Sequence, residues 1–233
     1  MTDKVALIAG ATGLVGSALT SILLDAPEYR QIVVLVRKRV PEWDNTPRIT
    51  QILVDYERLE DHLDDLVADD VYCCLGTTIK QAGTQDNMYR IDVTYPLRVA
   101  ELAKRQGATQ LLLVSAMGAD RTSKIFYNRI KGELEHKLVG LDYPSFSAAR
   151  PSLLLGERQE LRTGERIGAV LAKVLSPLMG GALAKYKAIP AEKVARALYR
   201  MACMEQRGVH VYNSDRLHEL GDVPDSATQR VTS

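Results

Sequence analysis

Tyr127 and Lys131 stand four residues apart in Tyr127-Asn-Arg-Ile-Lys131, a spacing that puts both side chains on one face of a helix. An ammonium beside a phenol stabilises the phenolate, and a phenol so tuned can pass a proton to or from a carbonyl oxygen. Ser115 lies upstream, just past an apolar run, where a hydroxyl could share that carbonyl with Tyr127. A Tyr/Lys pair is a short motif that chance also produces. Its weight comes from its place in the first helix after the fifth strand.

A second constellation opens the chain. Gly10-Ala-Thr12-Gly13-Leu14-Val15-Gly16 follows the first apolar run. Glycines there allow a tight turn and close backbone approach, and the helix start behind them offers free N–H groups and a positive dipole end to a pyrophosphate. The alternative is a plain turn. In a dinucleotide site the end of the second strand chooses the cofactor, because a carboxylate there accepts the ribose 2′-hydroxyl of NAD. This strand ends instead in Arg37-Lys38-Arg39. A guanidinium suits a 2′-phosphate, so the triplet points to NADP(H), against the alternative of a solvated basic loop. Asp55 and Tyr56 close the third strand, where Asp55 could accept the adenine amino group or cap a helix. Leu75-Gly76-Thr77 follows the fourth strand, at the edge that would face the cofactor. The preceding Cys73 and Cys74 read as buried strand residues rather than nucleophiles.

The elements that would position these residues are legible as apolar runs. Strands are expected over Val5–Ala9, Ile32–Val36, Thr50–Val54, Val71–Leu75, Gln110–Val114 and Ser145–Ala149, with a late one over Val209–Tyr212. Helices are expected over Leu14–Leu24, Asn87–Gln106, Lys124–Val139 and Ala191–Met204. Leu59, Leu63, Leu66 and Val67 have amphipathic helical spacing within Tyr56–Asp70, with Glu60, Asp61, Asp64 and Asp65 on a solvated face. Continuous rather than alternating apolar runs mean strands covered on both faces. Strand alternating with helix means right-handed crossovers and a doubly wound parallel sheet of the Rossmann type. Residues 1–155 form this α/β domain, 156–221 a small, mainly helical C-terminal cap over the cleft, and 222–233 a frayed tail. Arg158, Arg162 and Arg166 fall four apart, as a solvated face or as a stripe over the substrate.

These residues together resemble the short-chain dehydrogenase/reductase superfamily in its atypical branch. The resemblance is closer still to the Tat-interacting oxidoreductase-like proteins, the CC3-like subgroup, through Cys73-Cys-Leu-Gly-Thr-Thr78, Gly118-Ala-Asp120 and Arg150-Pro-Ser-Leu-Leu-Leu155. It spans roughly residues 4–165. The resemblance implies catalytic roles for Ser115, Tyr127 and Lys131. It also implies a nicotinamide cofactor lying from the glycine loop to Tyr127, with Pro151-Ser152-Leu153 packed against the nicotinamide. Extended members offer a second register for the serine, where this chain has Met117. Asp92 stands where most members place an asparagine that anchors a water chain to the lysine. A carboxylate there favours the charged lysine, yet adds negative charge that opposes a phenolate.

The chain has 233 residues, 46% apolar and 25% charged, with 30 basic against 29 acidic side chains. That range excludes a disordered or fibrous class, and a net +1 draws the protein neither to nucleic acid nor to anionic membrane. Three cysteines make no disulfide framework. The scattered His62, His136, His210 and His218 predict no metal site. The most apolar late stretch, Ile167 to Leu183, is broken by Lys173, Pro177 and glycines, so no membrane span is expected. With no signal peptide pattern at the start, a cytoplasmic protein is the expectation, with a homodimer the commonest assembly. The functional expectation is an NADP-dependent reductase of a small carbonyl compound. The alternatives are an NADP-binding regulatory or scaffold protein with little turnover and, more distantly, an epimerase or dehydratase on a nucleotide-linked sugar.

Overall fold

The valine, isoleucine and leucine runs become strands, buried in the middle of the sheet and partly exposed at its two edges, Ile49–Leu53 and Gly208–Asn213. A computed structural model describes residues 3–155 and 187–222. Strands β1 (Lys4–Ala9), β2 (Tyr29–Val36), β3 (Ile49–Leu53), β4 (Asp70–Cys73), β5 (Gln110–Val114), β6 (Ser145–Arg150) and β9 (Gly208–Asn213) form one sheet in the order β3-β2-β1-β4-β5-β6-β9. Every neighbouring pair is parallel. This is the doubly wound order, in which the strand sequence reverses between β1 and β4 and opens a crevice at the carboxyl ends of the strands. A minor pair, β7 (Leu154–Leu155) and β8 (Ile189–Pro190), joins the two ends of the segment that lies outside the described residues. Arg158, Arg162 and Arg166 fall in that segment, and the tail from 223 onward is likewise outside.

Helices cover both faces. On one face α1 (Leu14–Asp25), α6 (Ala191–Cys203) and α7 (Ser214–Asp222) bury Leu19, Leu23, Val194, Leu198 and Leu217 against Ala6, Ile8 and Val34. On the other, α4 (Tyr95–Arg105) and α5 (Phe126–Val139) bury Val99, Leu134 and Leu138 against Leu7, Leu111 and Leu113. Short α2 (Ile79–Ala82) and α3 (Gln85–Tyr89) lead into α4.

Three differences from the sequence expectation have physical causes. The stretch Tyr56–Asp65 is 3-10 in character, with non-helical angles at Arg58 and His62. Its aspartates are poor helix formers, Leu59 and Leu66 still reach the core, and Val67 is left exposed. The single helix expected over 87–106 is interrupted by a π turn at Arg90–Thr94. Residues 191–222 do not stand over the cleft as a cap, because β9 extends the sheet and α6 packs against α1. Since α1 and α6 share a face while β1→β2 and β6→β9 step in opposite directions, these two crossovers have opposite hand. The β6 to β9 crossover is thus an exception to the right-handed preference expected of the other connections.

Candidate functional site

The carboxyl edge of the sheet gathers most of the expected site. Gly10, at φ +87°, turns the chain out of β1 so closely past β4 that an added Cβ would lie 2.7 Å from the Cys74 backbone. A Cβ at Gly16 would lie 2.1 Å from the Gly10 carbonyl oxygen, so only glycine lets α1 start this near the turn. Gly13 is the N-cap, donates its own N–H to the Gly10 carbonyl at 3.0 Å, and supplies no side-chain cap; no acidic residue stands in the first turn. The N–H groups behind Thr12, at Leu14 and Val15, therefore remain for an anion, in the field of the helix dipole. These features fit a dinucleotide pyrophosphate.

Arg37 and Lys38 follow β2 at the same edge and are exposed, with no ion pair among the described residues, whereas Arg39 meets Asp44 at 2.8 Å. Asp55 accepts the Glu57 N–H at 2.9 Å and so caps the turn that follows. Tyr56 is buried and stacks on Tyr95 with ring centroids 5.1 Å apart. Burial pushes the Cys73 thiol up to about 11 and the Cys74 thiol higher still, which leaves neither as a nucleophile at neutral pH.

At the centre, Lys131 is 2% exposed and its Nζ lies 2.8 Å from Oδ1 of Asp92, which is 0% exposed. The other Asp92 oxygen accepts the Thr77 N–H at 2.9 Å. This carboxylate sits inside the π turn, whose extra residue aims it at both partners. A Cβ at Gly76 would come within 3.6 Å of Asp92 and 3.7 Å of Lys131, so the loop after Leu75 lies directly on the ion pair. Burial alone would lower the Lys131 pKa. Asp92, with Tyr127 adding to it, outweighs that effect and holds the pKa above the ordinary lysine value. The Tyr127 ring is 37% exposed, with the Lys131 ammonium 5.8 Å from its centroid.

Ser115 does not join this group, contrary to the sequence expectation. It is buried, and its hydroxyl donates to the Glu135 carboxylate. Glu135 also receives the Arg150 guanidinium through Nε at 3.0 Å and Nη2 at 2.5 Å. One carboxylate thus ties the end of β5, the end of β6 and α5 together. Spacing could have found Glu135, four residues beyond Lys131 on the same helix, whereas Arg150 is brought to it only by the fold. Met117, the alternative register, donates its N–H to the Pro151 carbonyl at 3.0 Å. The Pro151-Ser152-Leu153 turn is held from below. The Ser152 hydroxyl donates to the Lys187 carbonyl and receives the Ser214 hydroxyl, and the Leu153 carbonyl accepts the Ile189 N–H. Leu153 itself faces solvent.

Residues 6–126 match the model of the NAD dependent epimerase/dehydratase family. Among curated proteins, the chain is 34% identical over 200 residues to "Protein HTATIP2" of Rattus norvegicus, covering 85% of this chain and 81% of that one. It is 32% identical over 159 residues to "Protein FMP52, mitochondrial" of Eremothecium gossypii, covering 68% and 70%. Among solved structures, a UDP-glucose 4-epimerase from Thermotoga maritima superposes with TM-score 0.67 at 15% identity over 93% of this chain and 80% of that one, a likeness of fold. The fungal relatives are named mitochondrial, which overturns the cytoplasmic placement expected of the sequence. Near-neutral charge and unpaired thiols suit any reducing compartment and do not separate the two. No helix among the described residues is long and apolar enough to cross a membrane.

Proposed function

The chain belongs to the NAD dependent epimerase/dehydratase family, in the atypical, CC3-like branch of the short-chain dehydrogenases/reductases, and from that premise we propose that it is an NADP(H)-dependent oxidoreductase of a small carbonyl compound. The observation that carries this reading is the half-exposed Tyr127 phenol beside the buried Lys131 ammonium, at the sheet edge where the glycine loop opens. Leu14 and Val15 N–H groups would receive the pyrophosphate, and Arg37 with Lys38 the 2′-phosphate. A bound nicotinamide supplies the hydride. Tyr127 delivers the proton to the carbonyl oxygen, and Lys131, kept cationic by Asp92, stabilises the phenolate left behind. The Pro151–Leu153 turn would hold the nicotinamide end.

A second reading has its own observation. With Ser115 committed to Glu135 and Asp92 adding negative charge beside Lys131, the site lacks one polarising hydroxyl and carries an opposing charge. That arrangement favours an NADP-binding regulatory protein of low turnover. The names of the fungal relatives support a mitochondrial setting for either role.

Fluorescence titration with NADPH and NADH, beside a screen of small aldehydes and ketones, tests both readings. The enzyme reading expects NADPH binding that Arg37→Ala weakens by about tenfold or more. It further expects turnover that Tyr127→Phe abolishes while NADPH affinity holds. Tight NADPH binding with no turnover on any carbonyl selects the regulatory reading, and binding of neither cofactor overturns both.

A further inference from the structure

A buried ion pair is weak evidence for stability, because apolar side chains of the same volume often serve a fold as well. The pair of Glu135 and Arg150 stands where position matters instead. Along α5, Glu135 lies one turn beyond Lys131 and about two beyond Tyr127. Arg150 ends β6 and immediately precedes the Pro151–Leu153 turn. Beside them Ser115 donates its N–H to the Ala149 carbonyl at 2.8 Å, and Met117 donates to the Pro151 carbonyl, so the ends of β5 and β6 leave the sheet as one unit. That unit meets the catalytic helix at Glu135. One oxygen of the carboxylate accepts the Ser115 hydroxyl and the Arg150 Nε, and the other accepts Nη2. A guanidinium is planar and offers its donors in a fixed fork, so a two-point grip sets distance and angle together. Both oxygens are committed, and among the described residues their partners are Ser115 and Arg150, not Tyr127 or Lys131.

We propose that Glu135 is a positioning residue which, through Arg150, holds the Pro151–Leu153 turn at a fixed distance from the helix that carries Tyr127. The inference rests on the NADP(H)-dependent oxidoreductase reading, in which the turn holds the nicotinamide and Tyr127 gives the proton. Hydride and proton then reach the two atoms of one carbonyl from two different elements, and the Glu135–Arg150 grip sets the spacing between them. A displacement of about 1 Å at such a site costs on the order of a hundredfold in rate. In the same reading the phosphates of the cofactor are bound elsewhere, by the start of α1 and by Arg37 with Lys38. The grip therefore governs turnover and the setting of the nicotinamide, and leaves cofactor affinity alone.

The full chain with NADPH tests this through cofactor affinity, through the emission of bound NADPH, which shifts to the blue when the nicotinamide is enclosed, and through kcat on small aldehydes and ketones. Glu135→Gln keeps an acceptor for Ser115 but sets an amide NH2 against the guanidinium. It is expected to lower kcat by about tenfold to a hundredfold and to return the bound emission toward that of free NADPH. The NADPH Kd is expected to stay within about twofold of the wild type. Arg150→Lys, which keeps the charge and gives up the fork, is expected to show the same pattern and stands in if Glu135→Gln does not fold. Glu135→Gln combined with Arg150→Gln should be no worse than the worse single change, because each already breaks the same grip. Emission and kcat unchanged in both Glu135→Gln and Arg150→Lys, whatever their melting temperatures, would mean that the pair only holds the fold together, and the proposal falls. Additive losses in the double variant, or a wild-type complex that emits like free NADPH, overturn it as well. If the wild type binds NADPH and turns over no carbonyl, emission and affinity decide alone. A wild type that binds no NADPH overturns the oxidoreductase reading itself, and the proposal with it.

Discussion

Asp92 shows how one carboxylate can be both structural and chemical. Lys131 carries a pKa above the ordinary lysine value, with burial opposed and outweighed by Asp92 and Tyr127. Its contribution to stability is therefore complete below the unfolded lysine value of about 10.4 and is lost only as pH rises through the higher folded value. Asp92→Ala strands a buried ammonium and should cost about 3–5 kcal/mol near neutral pH. In that variant burial holds the lysine below its ordinary value instead, so the deficit should narrow as pH climbs toward about 10.4. Urea unfolding of both proteins at neutral and alkaline pH measures this, and a deficit that stays constant with pH would assign the loss to something other than the ion pair. The members of this group were legible because their chemistry is local. Tyr127 and Lys131 share a helix face, and the glycines declare their turn by type. The Ser115 hydroxyl was not legible, because its direction is set by Glu135 on another element, and Glu135 in turn is held by Arg150.

The loop between β5 and α5 shows what an element contributes beyond its own residues. Asp120 donates its N–H to the Asn128 carbonyl at 3.1 Å, and a Cβ at Gly132 would lie 2.5 Å from the Arg121 nitrogen and the Asp120 carbonyl carbon. The loop thus rests on bare helix backbone, one turn beyond Asn128, and its position fixes the start of the helix that carries Tyr127. Gly132→Ala must push loop and helix apart, an overpacking cost of about 1–3 kcal/mol. Gly140→Ala, at ordinary backbone angles near the end of the same helix, should stay within about 0.5 kcal/mol of the wild type. Denaturant midpoints of the two variants decide the matter; equal effects would mean that helix propensity rather than docking is at work. At this scale the strands could be read from their runs of Val, Ile and Leu. The π turn left one trace, Pro96, which has no N–H for the Asp92 carbonyl and so interrupts the helical pattern of residues 87–106. The extra residue answers to Lys131 and Thr77, which lie far along the chain. For the same reason the side of the sheet taken by α6 was hidden, since it depends on Val194 and Leu198 meeting α1.

Across the whole molecule the two ends of the sheet divide the labour. The carboxyl edge is open and carries the candidate chemistry, while the amino edge is tied by a buried polar network. Tyr29 of β2 donates to Asp70 of β4 at 2.6 Å and meets Tyr72 at 2.7 Å. Gln110 of β5 donates to Asp70 and to the Ala202 carbonyl of α6, and Ser145 of β6 donates to Gln110. Lys4 of β1 lies 3.5 Å from Asp70 and 2.6 Å from Glu205. Five strands and a helix therefore share one set of hydrogen bonds, at the end remote from the crevice. Burial pushes the Asp70 carboxyl above the ordinary aspartate value, and Tyr29, Lys4 and Gln110 oppose that without cancelling it. A carboxyl raised in this way favours folding fully below its unfolded pKa of about 3.9, and that advantage is lost as pH rises through the folded value. At neutral pH the ionised group therefore costs the folded state. Asparagine at this site can accept from Gln110 and donate to Tyr29 without a charge. Asp70→Asn should accordingly melt at or above the wild-type temperature near neutral pH. The gap should close as pH falls toward about 4, where the native carboxyl is protonated as well. Melting curves across that range check it: a variant that loses ground at neutral pH, or a gap that widens on acidification, would mean that the Lys4 and Tyr29 contacts outweigh burial and that the network is held by its charge.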